Sequence, residues 1–246
     1  MRGSLLAGIA VAPDGAVAIS PDDGSPDDGI PGRVTTIAEA ADYERAVRPR
    51  WVTWSQETAR RLVTGGLRVG TCWDVAAVHR MMFGGFRADP GYVWAHLRGL
   101  PPDKVPEDRA AADGPLDLFS SLSETGPDTD QPIGEDGYLR PEWTRGGWTR
   151  TPDTRLAWAH LARETAGLQR QALDGRRVDA AGAGIVRSES TVELLCAELA
   201  ADGLPVDRAV AEDLLTGIIG PRPRDEREAA AIRAARDAEV LKHAPA

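Results

Sequence analysis

Residues 51–83, WVTWSQETARRLVTGGLRVGTCWDVAAVHRMMF, alternate between apolar extended runs and helical patterns. Trp51–Trp54 predicts a buried strand, and the helical pattern over Gln56–Val63 follows a serine that can cap it. Leu67–Val69 predicts another short strand, and Asp74–Phe83 predicts a helix with the aspartate as its cap. Strands that alternate with helices of this length are typical of α/β domains, so this stretch predicts an α/β fold.

The residues before this stretch predict a β-hairpin and one helix. Leu5–Val11 and Ala16–Ile19 are apolar runs, and the Pro13–Gly15 segment between them has turn chemistry. Thr36 can cap a helix whose apolar residues keep helical spacing as far as Val47.

The residues after the stretch predict mainly helices. These are expected over Tyr92–Leu100, over Leu156–Leu173, from Ser190 to Gly203, from Asp207 to Ile219 and over Arg224–Leu241. At the third of these, Ser190 is expected to form a capping box with Glu193.

Composition excludes several classes of protein. The chain has 246 residues, of which 42% are hydrophobic and 27% charged, so it can bury a core without disulfides or a structural metal. Its two cysteines, Cys72 and Cys196, exclude a disulfide scaffold and a cysteine-rich zinc site. No apolar run approaches the length needed to span a bilayer, and we expect a cytoplasmic protein of the nucleoid without a membrane partner.

Charge is distributed unevenly along the chain. The net charge of −9 argues against a protein that coats nucleic acid over its whole surface. Residues 101–137 hold ten acidic and two basic residues, whereas residues 140–187 hold nine arginines and five acidic residues. Because Pro, Gly, Asp, Ser and Thr cluster over residues 101–152 with little periodicity, we predict an acidic disordered linker or insert there.

Three stretches resemble the amino-terminal part of DNA polymerase I-like, family A, enzymes of high-G+C bacteria, and the first of them has two parts joined by a helix. Arg48–Trp54 and Gly66–Asp74 are similar to a strand–helix–strand unit of the exonuclease domain in that family. Val192–Asp207 is similar to the entry of the polymerase thumb, where a helix ends in glycine before a short extended piece and an aspartate cap. Gly220–His243 resembles the segment that follows the thumb entry.

The resemblance implies a ribonuclease H-like, exonuclease-type α/β domain followed by a helical thumb segment. It assigns residues 1–100 to the exonuclease-like domain and 101–152 to the linker. Residues 153–188 would supply the last helix of that domain and a connector, and residues 189–246 the truncated start of the thumb.

The resemblance also implies a longer protein, because the polymerase active site of the family lies after the thumb. That protein would be a DNA-directed DNA polymerase, a nucleotidyltransferase that acts on primer–template DNA in replication and repair. The full enzyme would need Mg²⁺, whereas we expect no cofactor and no complete active site in these 246 residues.

The exonuclease site of the family needs carboxylates that converge on two metal ions. The first strand, Leu5–Val11, holds no carboxylate, and the next acidic position of the family falls near Thr58, beside Glu57. The last helix offers His160 and Glu164 without the tyrosine and aspartate of the family. We therefore expect no metal-binding residues and no catalytic residues, and we expect Asp74 to cap a helix.

Two stretches are candidates for binding partners. Leu116, Leu118 and Phe119 lie in a segment that resembles the short peptide by which bacterial replication proteins bind the sliding clamp, although Pro115 replaces a glutamine of that pattern. Local hydrophobic packing is the alternative for these residues.

Five arginines near the carboxyl end are candidates for contacts with DNA phosphates, namely Arg222, Arg224, Arg227, Arg233 and Arg236. Interleaved acids also fit a solvated helix with ion pairs.

The remaining candidates favour structural roles. The four histidines have no cysteine or acidic partners at metal-binding spacing. Trp51, Trp54 and Trp73 are expected to pack between the sheet and the helices, with base stacking as the alternative.

For the whole chain, two alternatives to a polymerase fragment stay open: a stand-alone interaction module built on an inactive nuclease fold, and an active metal-dependent 3′–5′ exonuclease.

Overall fold

The computed structural model describes residues 5–22, 32–106, 130–175 and 180–243. The chain divides into two compact units, Met1–Gly203 and Leu204–Ala246. The first unit contains a mixed sheet with helices, which confirms the predicted α/β class. The second unit contains two helices in its described part.

A five-stranded sheet forms the centre of the first unit. Its strands are β1 (Leu6–Val11), β2 (Val17–Pro21), β3 (Arg33–Thr35), β4 (Arg50–Thr53) and β5 (Cys72–Asp74). Their spatial order is β3-β2-β1-β4-β5. Strand β2 is antiparallel to β1 and β3, whereas β4 is parallel to both β1 and β5.

The helices are α1 (Ile37–Val47), α2 (Gln56–Thr64), α3 (Val75–Phe83), α4 (Pro90–Arg98), α5 (Pro141–Thr144), α6 (Pro152–Gly175), α7 (Ala180–Asp202), α8 (Arg208–Ile219) and α9 (Glu226–Leu241). The predicted hairpin and three of the predicted caps are confirmed. Thr36 forms a capping box with Glu39, Asp74 accepts from the Ala77 N–H, and Asp207 accepts from the Ala209 and Val210 N–H groups.

Two hydrophobic cores lie on opposite faces of the sheet. Alternate residues of β4 belong to different cores, Val52 to one and Trp51 to the other, because side chains alternate across a strand. The α6 face, with Val52, is covered by α3, α4, α5 and α6. The α2 face, with Trp51, is covered by α1 and α2.

Helix α7 passes around the β5 edge of the sheet. Val186, in its first half, is buried in the core of the α6 face, whereas Leu194 and Ala197 are buried in the core of the α2 face. The predicted helix start at Ser190 is therefore wrong, because Ser190 lies inside α7. Its hydroxyl accepts a hydrogen bond from the Asp74 N–H at 3.1 Å, so a tertiary contact replaces the expected cap.

The strand predicted at Leu67–Val69 is also wrong. Leu67 and Val69 are buried in the core of the α2 face, but their backbone pairs with no strand in the described part of the chain. The strand begins instead at Cys72, which lies opposite Trp51 in the parallel register. The alternation of apolar and polar residues correctly predicts that Leu67 and Val69 are buried and Arg68 is exposed, but the backbone of this segment is irregular.

The predicted disorder over residues 101–152 does not hold for its described parts, and residues 107–129 lie outside the described residues. Trp143 on α5 is fully buried, and Ile133 forms an isolated bridge with Leu139. The indole of Trp94 donates to the Gly137 carbonyl at 3.0 Å. Aromatic residues thus anchor a segment whose composition is otherwise typical of a linker.

The described part of the second unit, residues 204–243, has no buried residue. Several large apolar side chains of α8 are exposed, among them Leu214, Leu215 and Ile218, the last of them at 80%. In all the described ranges, no helix combines the length and the apolar character that crossing a membrane requires.

The close contact between α6 and β1 makes a stability prediction. A Cβ atom added at Gly8 would lie 1.9 Å from the Ala159 carbonyl oxygen, so Gly8→Ala forces α6 away from the sheet. We expect a loss of about 2–3 kcal/mol in the free energy of unfolding and a fall in Tm of about 5–10 °C. Thermal melts followed by circular dichroism measure both.

Gly167→Ala is the matched control, because Gly167 lies inside α6 and an added Cβ meets nothing within 4 Å. The same substitution there should leave Tm unchanged or raise it slightly, since alanine favours a helix by about 0.5–1 kcal/mol over glycine. Equal melting of wild type and Gly8→Ala would contradict the close contact.

Candidate functional site

The central strand β1 is where the resemblance leads us to look for the first acids of a nuclease. All six of its residues are buried, and none is acidic. Gly8 lies against α6, where a Cβ atom would also come within 3.1 Å of the Arg163 Cβ. A carboxylate at this position has no space, so the residues present do not fit a two-metal exonuclease site at the centre of the strand.

The other acids considered for that site lie apart. Glu57 is on α2, where it pairs with Arg61 at 3.1 Å, and α2 covers the α2 face. Glu164 is on α6, where it pairs with Arg98, and α6 covers the opposite face. In the described part of the chain, no three His, Cys, Asp or Glu residues come together as a potential metal site.

His160, on α6, takes part in a cluster of polar contacts with the end of β2 instead. Its Nδ1 lies 3.4 Å from the Ser20 hydroxyl oxygen and 3.1 Å from a guanidinium nitrogen of Arg163. The same arginine reaches Asp22 at 3.4 Å. Burial, and then the positive charge of Arg163, lower the pKa of His160. These contacts connect α6 to the end of β2 and leave His160 in a structural role.

Asp74 is the most deeply buried carboxylate among the described residues. It ends β5 beside Thr53, which ends β4, so both lie at the carboxyl edge of the parallel strands. One carboxylate oxygen accepts from the Ala77 N–H at 2.8 Å, and the other accepts from the Thr53 hydroxyl at 3.4 Å. Burial, and then the negative charge of Glu193, raise the pKa of Asp74 to about 6 against the favourable Ala77 hydrogen bond.

Helix α7 closes this edge of the sheet. The Cys72 thiol donates to the Ser190 carbonyl at 3.0 Å, and burial raises the pKa of that thiol to about 12. Glu193 accepts from Gln56 and from Arg80, each at 2.7 Å. Ligands of α/β proteins commonly bind at the carboxyl ends of parallel strands, but α7 occupies that position here.

A second buried titratable group lies between α3 and α4. His79 is fully buried, and its Nε2 lies 3.2 Å from the Nδ1 of His96, while its own Nδ1 has no hydrogen-bond partner. Phe83 and Tyr92 also pack against the His79 ring. Burial, and then the charge of His96, lower the pKa of His79 to about 4, so it is neutral at physiological pH. Sequence reasoning missed this pair, because His79 and His96 lie on different helices.

The packing role predicted for the three tryptophans is confirmed. Trp51, Trp54 and Trp73 are buried, and their indole nitrogens donate to Glu44 at 2.7 Å, to the Trp158 carbonyl at 3.3 Å and to Gln169 at 2.7 Å. Their rings lie in the cores on the two faces of the sheet.

The five carboxyl-terminal arginines divide into two groups. Arg233 pairs with Glu226 at 2.5 Å, and Arg236 donates to the Ile219 carbonyl. Arg222, Arg224 and Arg227 are exposed and form no ion pair with any residue in the ranges that the structure describes. The sequence left phosphate contacts and ion pairing open for all five, and ion pairing accounts for Arg233 alone.

A groove of about 460 Å³ runs between α8 and α9 within the second unit. Leu215, Ile219 and Ile232 contribute apolar atoms to its lining, and Arg222, Arg233 and Arg236 contribute guanidinium groups. The clamp-binding residues predicted from the sequence, Leu116, Leu118 and Phe119, lie outside the described residues.

Comparison with models of protein families, with curated proteins and with solved structures finds no match for this chain.

Asp74 and His79 make opposite contributions to the pH dependence of stability. The folded state binds the Asp74 proton more tightly than the unfolded state, so this contribution falls as pH rises from about 4 to about 6. The folded state binds the His79 proton less tightly, so this contribution rises with pH between about 4 and 6.5. Each amounts to about 2–3 kcal/mol over its window, because one pKa unit corresponds to about 1.4 kcal/mol.

Urea unfolding of wild type, Asp74→Asn and His79→Gln between pH 4 and pH 7 measures these contributions. The stability of Asp74→Asn relative to wild type should increase with pH, and that of His79→Gln should decrease. Asparagine also keeps the helix cap, which limits the loss of stability that does not depend on pH. If the free energy of unfolding of a variant changes with pH in the same way as that of wild type, the pKa shift assigned to the replaced residue is contradicted.

Proposed function

We propose that the chain is the amino-terminal portion of a DNA polymerase I-like, family A, DNA polymerase that acts in replication and repair. In this proposal the first unit is a ribonuclease H-like, 3′–5′ exonuclease-type domain without a working metal site. The second unit is the helical start of the thumb, and its role is to contact primer–template DNA.

The order of the strands carries the proposal. The sheet runs β3-β2-β1-β4-β5, and β2 alone is antiparallel to the other strands. Ribonuclease H-like domains share this arrangement, in which a three-stranded meander is extended by two parallel strands. The arrangement therefore supports the exonuclease-like assignment that the sequence resemblance implies.

The packing of β1 supports the loss of nuclease activity. Two-metal catalysis needs acids that converge on the metals, and β1 has none. Helix α6 also lies so close to Gly8 that a replacement acid would displace it. A degenerate nuclease domain would then serve as a structural part of the polymerase.

The second unit supports the thumb assignment. Its helices α8 and α9 have no buried residue in the described range, and Leu214 and Ile218 are exposed. A helical pair with exposed apolar residues needs a further surface to cover them. In a thumb, that surface would come from polymerase residues that follow in the sequence.

The same exposed residues also fit a stand-alone interaction module, which is the alternative. The coding sequence that follows Ala246 separates the two proposals. Palm residues with paired aspartates there would support the polymerase, whereas a stop codon would favour the interaction module.

Arg222, Arg224 and Arg227, which form no ion pair within the described ranges, should dominate DNA binding by the second unit. We expect replacement of Arg222, Arg224 and Arg227 by glutamine to weaken binding to a primer–template duplex by about a thousandfold at about 50 mM salt, because each lost phosphate contact costs about tenfold there. The slope of log K against log salt should also fall by about 3, because each lost phosphate contact reduces it by about one. Fluorescence anisotropy of a labelled duplex at several salt concentrations measures both quantities.

The control is a triple variant that loses the same charge at ion-paired arginines: Arg45, Arg68 and Arg208, whose partners are Asp42, Asp202 and Glu212. It should change the salt slope by less than 1, since these arginines are already neutralised. Equal losses in both triple variants would contradict a specific role for the three free arginines.

The purified chain should not degrade single-stranded DNA with Mg²⁺ or Mn²⁺, because β1 offers no metal ligands. Gel electrophoresis of 5′-labelled single-stranded oligonucleotides, incubated with the chain and each metal ion, measures any shortening from the 3′ end. Metal-dependent digestion that disappears in Glu57→Ala or Glu164→Ala would favour the active exonuclease instead.

A further inference from the structure

The groove between α8 and α9 is formed by one face of each helix. On α8 its lining runs from Glu212 to Ile219, and on α9 it runs from Ala229 to Arg236. Each wall is therefore about two helical turns, or about 10 Å, long, because an α-helix rises about 1.5 Å per residue. A groove of this length and of about 460 Å³ can accept apolar side chains from two turns of a third helix.

The apolar side chains that line the groove are accessible to solvent within the second unit. Leu215 and Ile219 are 53% and 55% exposed, and Ile232 is partly exposed. Pro221 and Pro223 extend the lining beyond the end of α8 and offer no backbone N–H donor. Exposed apolar residues that are grouped in one groove mark a surface at which another molecule removes them from water.

Two of the charged side chains in the lining already have ionic partners. Glu212, the one acidic residue of the lining, accepts from Arg208 at 2.7 Å. Arg233 pairs with Glu226 at 2.5 Å. Neither side chain therefore leaves a full uncompensated charge in the groove.

The other two charged side chains of the lining are positive and have no acidic partner. Arg222 and Arg236 form no ion pair within the ranges that the structure describes. Arg236 donates to the Ile219 carbonyl, which is neutral and leaves the charge of the guanidinium uncompensated. The groove thus combines aliphatic side chains with two cations, so an occupant that complements it has apolar and acidic groups side by side.

We propose that this groove binds an acidic amphipathic helix from outside these 246 residues. Two turns of such a helix present apolar side chains at positions i, i+3, i+4 and i+7, which pack against Leu215, Ile219 and Ile232. Carboxylates beside this apolar stripe pair with Arg222 and Arg236. An acidic helix fits better than nucleic acid, because a phosphate backbone would leave the apolar lining exposed to water. The inference holds for a polymerase thumb and for an interaction module alike.

Fluorescence anisotropy of three labelled synthetic peptides with the full chain tests the proposal. The first peptide has leucines at positions i, i+3, i+4 and i+7 and glutamate and alanine elsewhere. In the second, lysine replaces each glutamate, and in the third, serine replaces each leucine. We expect the acidic leucine peptide to bind with a Kd on the order of 10 μM, and each of the other two to bind at least about tenfold more weakly.

Leu215→Glu and Leu214→Glu form a matched pair of variants. Both residues are exposed on α8, but Leu215 lines the groove and Leu214 does not. Leu215→Glu should weaken binding of the acidic leucine peptide at least about tenfold, because it places a charge among the apolar contacts. Leu214→Glu makes the same change in charge and should alter the Kd less than about twofold. Circular dichroism verifies that both variants keep the helical content of wild type.

Arg222→Glu keeps the proposal testable if Leu215→Glu does not fold, because Arg222 is exposed between α8 and α9. It should weaken binding of the acidic leucine peptide about fivefold and strengthen binding of the lysine peptide. None of these measurements uses DNA, so they test the groove separately from the proposed contact with primer–template.

Three results would each overturn the proposal. The first is no binding of the acidic leucine peptide at about 1 mM, where even weak specific complexes form. The second is equal binding of the serine peptide, which would show that the groove attracts any anion, phosphates included. The third is equal peptide binding by Leu214→Glu and a folded Leu215→Glu, or by wild type and Arg222→Glu.

Discussion

Helix α6 approaches strand β1 so closely that position 8 accommodates glycine alone, since any Cβ atom would collide with the Ala159 carbonyl. This contact positions the helix across the sheet. Further along the helix, Gln169 accepts from the Trp73 indole at 2.7 Å and donates to the Val75 carbonyl at 2.8 Å. One helix thus connects the central strand to the end of β5, and the same contact leaves no space for a carboxylate side chain at position 8.

Helix α7 is the second element on which the sheet depends, because it covers the edge at which β5 would otherwise be unpaired. Its contacts there are polar: Ser190 accepts from the Asp74 N–H, and Glu193 accepts from Gln56 and Arg80. These hydrogen bonds place two carboxylates near each other in a buried region, and the raised pKa of Asp74 is the electrostatic consequence. Ser190 and Glu193 of α7 thus occupy part of the edge at the carboxyl ends of β4 and β5, where an α/β sheet would usually bind a ligand.

Local signals in the sequence predicted local structure well. The hairpin around Gly15 and the caps at Thr36, Asp74 and Asp207 follow from neighbouring residues, and all of them occur. The errors arise where distant residues decide. Ser190 has the pattern of a cap, but its hydroxyl is used by Asp74, which is 116 residues away. Likewise, no pattern in one segment could show that His79 on α3 meets His96 on α4.

The net charge of −9 is a poor guide to what this protein binds, because residues 101–137 contribute −8 of it. Electrostatic attraction at a surface depends on charges that lack a partner within about one Debye length. Several arginines of the first unit form ion pairs with nearby acids, as Arg61 does with Glu57 and Arg80 does with Glu193. In the second unit, Arg222, Arg224 and Arg227 are exposed, lie close together in the sequence and form no ion pair within the ranges that the structure describes. An anion that approaches the chain therefore meets local positive fields at these residues, and the average charge of the protein does not weaken them appreciably at physiological ionic strength.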